Sequence, residues 1–406
     1  MLCQYRPVWA RFILMAAVTY FAIATAAWAA PRHVYLTYSG DPATTMDVNF
    51  HTDGIQDKAE VFWDTESRDG KRRRYAHQTD ASSTVFDGLR VERTVHTGSL
   101  TDLKPNKTYY FIAGNRKEGY CEERSFRTIP NDGASIRFVT GGDMGVTKAA
   151  IRLMKEAAKL DPYFCAIGGD IAYANGEFYA YRTWDAWLRN WENNMVTPSG
   201  HMIPVVAAIG NHETNDIESP DPATMAPFFY AYFGQQANRT YFDMQFGPNL
   251  AILALDTGHV VSHADQTDWI SQTLAKYKDI PHRYAIYHVP LYPSHRDFEG
   301  DYSARGRKHW APIFDEYALT GSFENHDHVL KRTHPIKGNK VDPTGTVYFG
   351  DGSFGRDPRT VDDERRWYEV IAKSVFHFWV VDVASDGVQY SAIDHTGAVL
   401  DTYETK

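Results

Sequence analysis

Ile203-Pro-Val-Val-Ala-Ala-Ile-Gly-Asn-His-Glu213 is the stretch that decides how this chain is read. An apolar run ends abruptly on Gly-Asn-His-Glu. A buried strand that stops in this way delivers polar groups to the end of a sheet, where open α/β folds place their sites. Two more runs end alike: Arg137-Phe-Val-Thr-Gly-Gly-Asp143, followed by Met-Gly145, and Tyr163-Phe-Cys-Ala-Ile-Gly-Gly-Asp170, followed by Ile-Ala-Tyr173. Downstream, Tyr284-Ala-Ile-Tyr-His288 and His326-Asp-His328 add imidazoles. Alone, a Gly-Asp is a common turn and a histidine a common core or surface residue. Together, carboxylates, a carboxamide, a phenol and three imidazoles at strand ends are a ligand set for two metal ions.

Asp143-x-Gly145, Gly169-Asp-x-x-Tyr173, Gly210-Asn-His-Glu213, His288 and His326-x-His328 resemble the calcineurin-like metallophosphoesterases, and Tyr173 narrows this to the purple acid phosphatase branch. The resemblance implies a dinuclear centre bridged by Asp170. Asp143, Tyr173 and His328 complete one ion's ligands; Asn211, His288 and His326 complete the other's. A phenolate is a hard, charged donor, so Fe(III) is expected beside Tyr173, with Zn²⁺, Mn²⁺ or Fe²⁺ in the second position. The implied reaction is in-line attack of a metal-bound hydroxide on a phosphomonoester. His212 is implied to lie near the substrate and to stabilise or protonate the leaving oxygen. His295 and Arg296 are catalytic candidates as phosphate contacts, His259 is a weaker one, and Glu213 orients His212 or its loop. One departure stands out: Asn325 precedes His326 where the family carries glycine. Asn is the next best residue for a close backbone approach or positive φ. In an extended segment His326 and His328 project to one side, which turns Asp327 away as a structural residue.

Taken from the start, Arg6 and Arg11 precede the apolar run Phe12–Ala27, and Ala27-Trp-Ala29 is a small-x-small cleavage signature. Residues 1–29 therefore read as a signal peptide, giving a secreted or periplasmic protein that keeps no membrane segment after cleavage. The net charge of −9 argues against nucleic acid as a routine partner, while a small phosphate ester remains compatible because metal ions dominate the local field. Cys121 and Cys165 are expected as unpaired thiols, Cys165 within a buried strand.

Ile129-Pro-Asn-Asp-Gly133 reads as a linker. Before it, over 33–129, short alternating segments (His33–Tyr38, Met46–Phe50, Ala59–Trp63, Thr108–Ile112) indicate a β-sandwich. Leu103-x-Pro-x-x-Thr-Tyr-Tyr110 resembles the tyrosine corner of fibronectin type III modules, which the purple acid phosphatases carry at this position. After it, over 134–406, strands alternate with helices. Thr147 caps a helix with Ala150, Leu153, Met154, Ala157 and Ala158 on one face, and Trp184, Trp187, Leu188 and Trp191 mark a packed helix within 178–195. Tyr241–Phe246 and Leu250–Asp256 form a hairpin, and Trp269–Tyr277 and Arg305–Leu319 read as helices. The expectation is an α/β metallophosphoesterase domain of two β-sheets flanked by helices, with a βαβαβ metal-binding core.

The favoured function is a secreted phosphomonoesterase. A phosphodiesterase or nucleotidase shares the ligands, because ester choice rests on the loops at 174–202, 214–238 and 292–304. A non-catalytic exported binding protein is the reading from another class; the complete ligand set opposes it. A metallopeptidase lacks its His-Glu-x-x-His helix. Nothing in the sequence gives an oligomeric state.

Overall fold

Alternating apolar and polar residues build the first part of the fold. The structure, a computed structural model, describes residues 1, 31–215, 217–234, 239–350, 352–362 and 364–405, so the expected signal peptide lies, Met1 aside, outside the described residues. Strands Arg32–Thr37, Met46–Asp53 and Arg93–Leu100 face strands Ala59–Asp64, Thr108–Asn115, Gly119–Tyr120 and Arg124–Arg127. His77–Val85 joins both layers: residues 77–81 pair with Ala59–Trp63 and residues 82–85 with 94–97. Val34, Leu36, Val48, Phe50, Val61, Phe111 and Phe126 fill the space between them. The tyrosine corner is present: the Lys104 N–H donates to Tyr109 Oη at 2.8 Å, and the Tyr109 ring stacks on Phe126.

Beyond Gly133 the chain forms two further sheets packed face to face. The first has strand order Val205–Ala208, Phe164–Gly168, Ile136–Gly141, His377–Ala384, Gly387–Asp394, Val399–Thr405. The second runs Phe242–Phe246, Leu250–Ala254, His282–Ile286, Gly321–Phe323, Val347–Gly350, Leu330–Thr333, Glu369–Lys373. Aromatic rings lock the sheets together: Phe164 stacks on Phe246 at 4.0 Å and Phe349 on Tyr390 at 4.5 Å. Strands buried on both faces read as continuous apolar runs for this reason.

Helices cover the outer faces. On the first sheet, Lys148–Lys159 is capped by Thr147, whose side chain accepts from the Ala150 N–H, and Tyr181–Asn194 buries Trp184, Trp187, Leu188 and Trp191. On the second lie Thr267–Lys276, Asp301–His309 and Ala311–Glu316. The expected single helix over Arg305–Leu319 is broken at Trp310. Pro312 has no N–H to donate backwards, so a new helix begins there instead.

The tryptophan helix also meets the N-terminal sandwich. Asp185 receives the Arg93 guanidinium as a bidentate pair and lies 3.3 Å from His33 Nε2. Tyr35 Oη donates to the Tyr232 carbonyl at 2.7 Å. Cys121 and Cys165 are buried free thiols, and burial raises both, Cys121 to about 11. Among the described residues, no helix is long and apolar enough to cross a membrane.

Candidate metal centre

Parallel pairing decides where the polar strand ends arrive. Ile136–Gly141, Phe164–Gly168 and Val205–Ala208 are parallel neighbours, so Asp143, Asp170 and Asn211 emerge along one edge. In the second sheet His282–Ile286 and Gly321–Phe323 are also parallel, and bring His288 and the 325–328 loop to the same edge. The chain turns sharply to aim these groups. Asp143, Asp170, Tyr173, His326 and His328 all adopt left-handed backbone, with φ of 56, 52, 64, 77 and 56°. Non-glycine residues reach this region at roughly 1–2 kcal/mol each, and such strain concentrates at functional sites. His326 and His328 therefore do not lie on an extended segment as expected; successive left-handed turns bring them to the site.

Two clusters of donor atoms result. In one, Asp143 Oδ1 lies 2.9 Å from both Tyr173 Oη and His328 Nε2, which are 3.2 Å apart. In the other, His288 Nε2 faces Asp170 Oδ1 at 3.2 Å, Asn211 Oδ1 at 3.1 Å and His326 Nδ1 at 2.9 Å. His288 Nδ1 meets the Gly168 carbonyl at 2.9 Å and His328 Nδ1 the Asp357 carbonyl at 3.1 Å. A carbonyl only accepts, so each Nδ1 carries a proton, and Nε2 is left facing inward as the donor atom for a cation. Three lone-pair atoms around His288 Nε2 exceed what one proton can serve, and a cation serves them all. The residues thus fit the metal centre that the resemblance implies.

The electrostatics agree. Burial opposes charge on His288, but Asp170 and Asp143 outweigh it and raise the ring to about 9, so the surroundings favour positive charge at this point. Burial opposes charge on Asp143 too, yet His328, His288 and His326 hold its carboxyl far below the usual range. Burial, then Asp143 and Asp170, push the Tyr173 phenol far upward, so ionising it requires a cation. Burial and the His288 ring depress His326 strongly.

Surrounding residues hold these groups. Glu213 is buried and accepts the Asp170 and Ile171 N–H groups at 2.7 Å each and that of Gly210 at 2.9 Å, binding two ligand loops to each other. Burial and then Asp170 raise it to about 8. Of the two alternatives expected at Asn325, a close approach or a positive φ, the positive φ is not found. Its side chain lies over Gly142 and Gly168, where a Cβ on Gly168 would come within 1.7 Å of Nδ2, and Nδ2 donates to the Tyr287 carbonyl at 2.9 Å. Small residues on the facing strands therefore make room for an asparagine in this loop. Gly352 is required at φ +58°: a Cβ there would come within 1.8 Å of Asp143 Oδ2.

His212 sits on the solvent side, its ring 4.2 Å from that of Tyr173 and its Nδ1 on Asn175 Oδ1. Burial lowers it, partly countered by Asp170. A cleft of about 560 Å³ opens beside Asn211 and His212 and is flanked by Tyr179, His259 and Tyr302. Arg296 binds Asp327 and the His326 carbonyl at 3.2 Å each, and His295 Nδ1 meets the Thr360 carbonyl. Both residues thus brace the histidine loop. Asp327 also accepts the Ser294 and His295 N–H groups at 2.8 Å, the structural part expected of it. Sequence reasoning missed Asn175, Arg356 and Arg359. Arg359 donates to the His326 carbonyl at 3.1 Å, and no motif flags the segment Gly355-Arg-Asp-Pro-Arg359 that carries two of the three.

The profile described as purple acid phosphatase, N-terminal domain, matches residues 31–128, and that described as calcineurin-like phosphoesterase matches residues 136–339. Purple acid phosphatase 21 of Arabidopsis thaliana is 25% identical over 334 residues, covering 79% of this chain and 71% of its own. The structure of purple acid phosphatase PPD1 from yellow lupin superposes with a TM-score of 0.78 at 19% identity, over 93% of this chain and 74% of that one. That of PhoD gives 0.70 at 11% identity, over 93% and 92%. With the motifs, the two-sheet fold and the domain order in agreement, the chain belongs to the calcineurin-like phosphoesterase family, hydrolases of phosphate esters, in its purple acid phosphatase branch.

Proposed function

We propose that this protein is an exported phosphomonoesterase working through two metal ions, with Fe(III) beside Tyr173 and Zn²⁺, Mn²⁺ or Fe²⁺ beside Asn211. The observation that carries the reading is the ring of lone pairs about His288 Nε2, set next to a phenol and a carboxylate that share His328. Asp170 would be the carboxylate held in common by both ions. Asp143, Tyr173 and His328 serve one ion, and Asn211, His288 and His326 the other. When bound, the ions supply Lewis acidity at the phosphoryl oxygens and a nucleophile from water near neutral pH. His212 reaches the cleft from the rim and holds or delivers the proton for the leaving oxygen; Asn175 fixes its ring. Arg296 and His295 act by holding the 326–328 loop. Residues 33–129 and 134–406 serve as the two domains, the first without a part in the chemistry, and the leader at 1–29 directs export.

The test is a visible spectrum and metal analysis of purified protein, with hydrolysis of 4-nitrophenyl phosphate and its bis-ester. A charge-transfer band with iron present, absent in Tyr173→Phe, and faster monoester cleavage are expected. Faster diester cleavage would replace the monoesterase reading with the phosphodiesterase one, and a protein that takes up no metal would end both.

A further inference from the structure

One cation beside the centre has no partner in the chemistry above. Arg356 is half-buried in the 352–359 segment, whose course is fixed from the metal side: the Arg356 N–H donates to the Asp143 carbonyl at 2.9 Å. Its side chain then crosses Tyr173, with the guanidinium carbon 4.2 Å from the ring centroid. The His212 ring lies at the same 4.2 Å from that centroid, so the phenol ring is in contact with both groups. Gly145 lies against the crossing: a Cβ there would touch the Arg356 stem at an ordinary 3.4 Å, and its φ of +62° is one that other residues avoid.

Neighbouring arginines are committed elsewhere. Arg296 and Arg359 both donate to the His326 carbonyl, and Arg296 is also paired with Asp327. Among the described residues, the Arg356 guanidinium makes no hydrogen bond and no ion pair. Packing on an aromatic face uses the plane of a guanidinium and leaves its N–H edge free. That edge carries a fork of donors matched to two oxygens of a phosphate. A purely packed role would be served equally by an apolar side chain of the same length, which gives the test its control.

We propose that Arg356 binds the non-esterified oxygens of the substrate phosphate, from the Tyr173 side of the centre. The inference deepens the phosphatase reading and rests on it. It makes Arg356 a group that fixes the orientation of the phosphoryl group while His212 attends to the leaving oxygen.

The experiment uses the metal-loaded full chain and inorganic phosphate, titrated calorimetrically at low and high salt. Wild type is compared with Arg356→Met, which keeps the packing, and Arg356→Lys, which keeps the charge. Methionine is expected to weaken phosphate binding by about 10- to 100-fold, the range of a charge-assisted pair, and to flatten its salt dependence. Lysine should restore part of this. Metal content and the Tyr173 charge-transfer band should stay as in wild type, and the loss in hydrolysis should fall mainly on KM. Equal phosphate affinity in wild type and Arg356→Met, at equal metal content, would overturn the inference and leave the phosphatase reading intact. So would loss of metal with loss of phosphate, which would mark Arg356 as structural. A wild-type chain that takes up no metal and binds no phosphate would overturn both.

Discussion

Glu213→Gln is the substitution that separates ligation from the support of ligation. The change preserves shape and, above about pH 8 where the buried carboxyl is ionised, removes one charge from a side chain that is 1% exposed. The carboxylate accepts three backbone N–H groups, two on Oε2 and one on Oε1. An amide presents only one oxygen. Placed where Oε2 was, it keeps the Asp170 and Gly210 bonds and turns its own N–H₂ toward the Ile171 N–H. A stranded buried donor costs about 1–3 kcal/mol, and the two surviving bonds lose their charge assistance. The total comes to about 3 kcal/mol. Because the loops so loosened carry Asp170 and Asn211, metal binding has to restore them and should weaken by as much as ~100-fold. Urea unfolding of the metal-free protein measures the first quantity, and chelator competition the second. Metal-free stability within ~0.5 kcal/mol of wild type, together with metal affinity within about threefold, would refute the role assigned to Glu213.

Other outcomes follow from the same geometry. Gly352→Ala should drive the Asp143 carboxylate from its place and abolish metal uptake beside Tyr173, read by metal analysis, while far-ultraviolet circular dichroism stays native. Asp185→Asn should lower stability by about 3 kcal/mol, because it leaves the buried Arg93 guanidinium without its counter-charge, and denaturant unfolding should show it. Burial holds His96, His263 and His377 at about 4, below the free value of 6.5. Each ring binds its proton more readily unfolded, so its stabilisation is complete above pH 6.5 and is lost as pH falls through 4, by about 3 kcal/mol per ring. Urea midpoints at pH 7, 5.5 and 4.5 should decline in that order.

The strands that carry ligands were legible because each is buried on both faces and ends on a polar group, so composition changes at the point where position changes. The sandwich was legible in part. His77–Val85 is polar or exposed along most of its length and pairs with both layers, so no apolar alternation announces it. Arg93–Leu100 hides behind Thr, His and Gly, and two of its residues, Arg93 and His96, are buried for reasons of pairing rather than hydrophobicity. At the centre the residue types were readable and the backbone was not. The left-handed φ of Asp143, Tyr173 and His328 carries no local signal, since each is imposed by loops meeting from two sheets. Asn325 shows the limit most clearly. Its acceptability depends on Gly142 and Gly168, more than 150 positions away, and those glycines are explained only once the side chain above them is seen. Arg356 and Arg359 fall in a segment whose sequence resembles any charged turn.

The strand order of the first sheet bears on when a metal centre can come into being. Ile136–Gly141, which leads to Asp143, is hydrogen-bonded on one side to Phe164–Gly168 and on the other to His377–Ala384, near the end of the chain. Ribosomal synthesis delivers that partner last. Until it arrives, the strand beneath Asp143 is an open edge, and Gly352, which borders the carboxylate, sits on a segment whose sheet pairing lies only on its Val347–Gly350 side. A nascent chain can therefore offer histidines and carboxylates to passing ions but no preformed cage. Metal selection then belongs to the finished fold, since only with His377–Ala384 in place is the strand that leads to Asp143 paired on both sides.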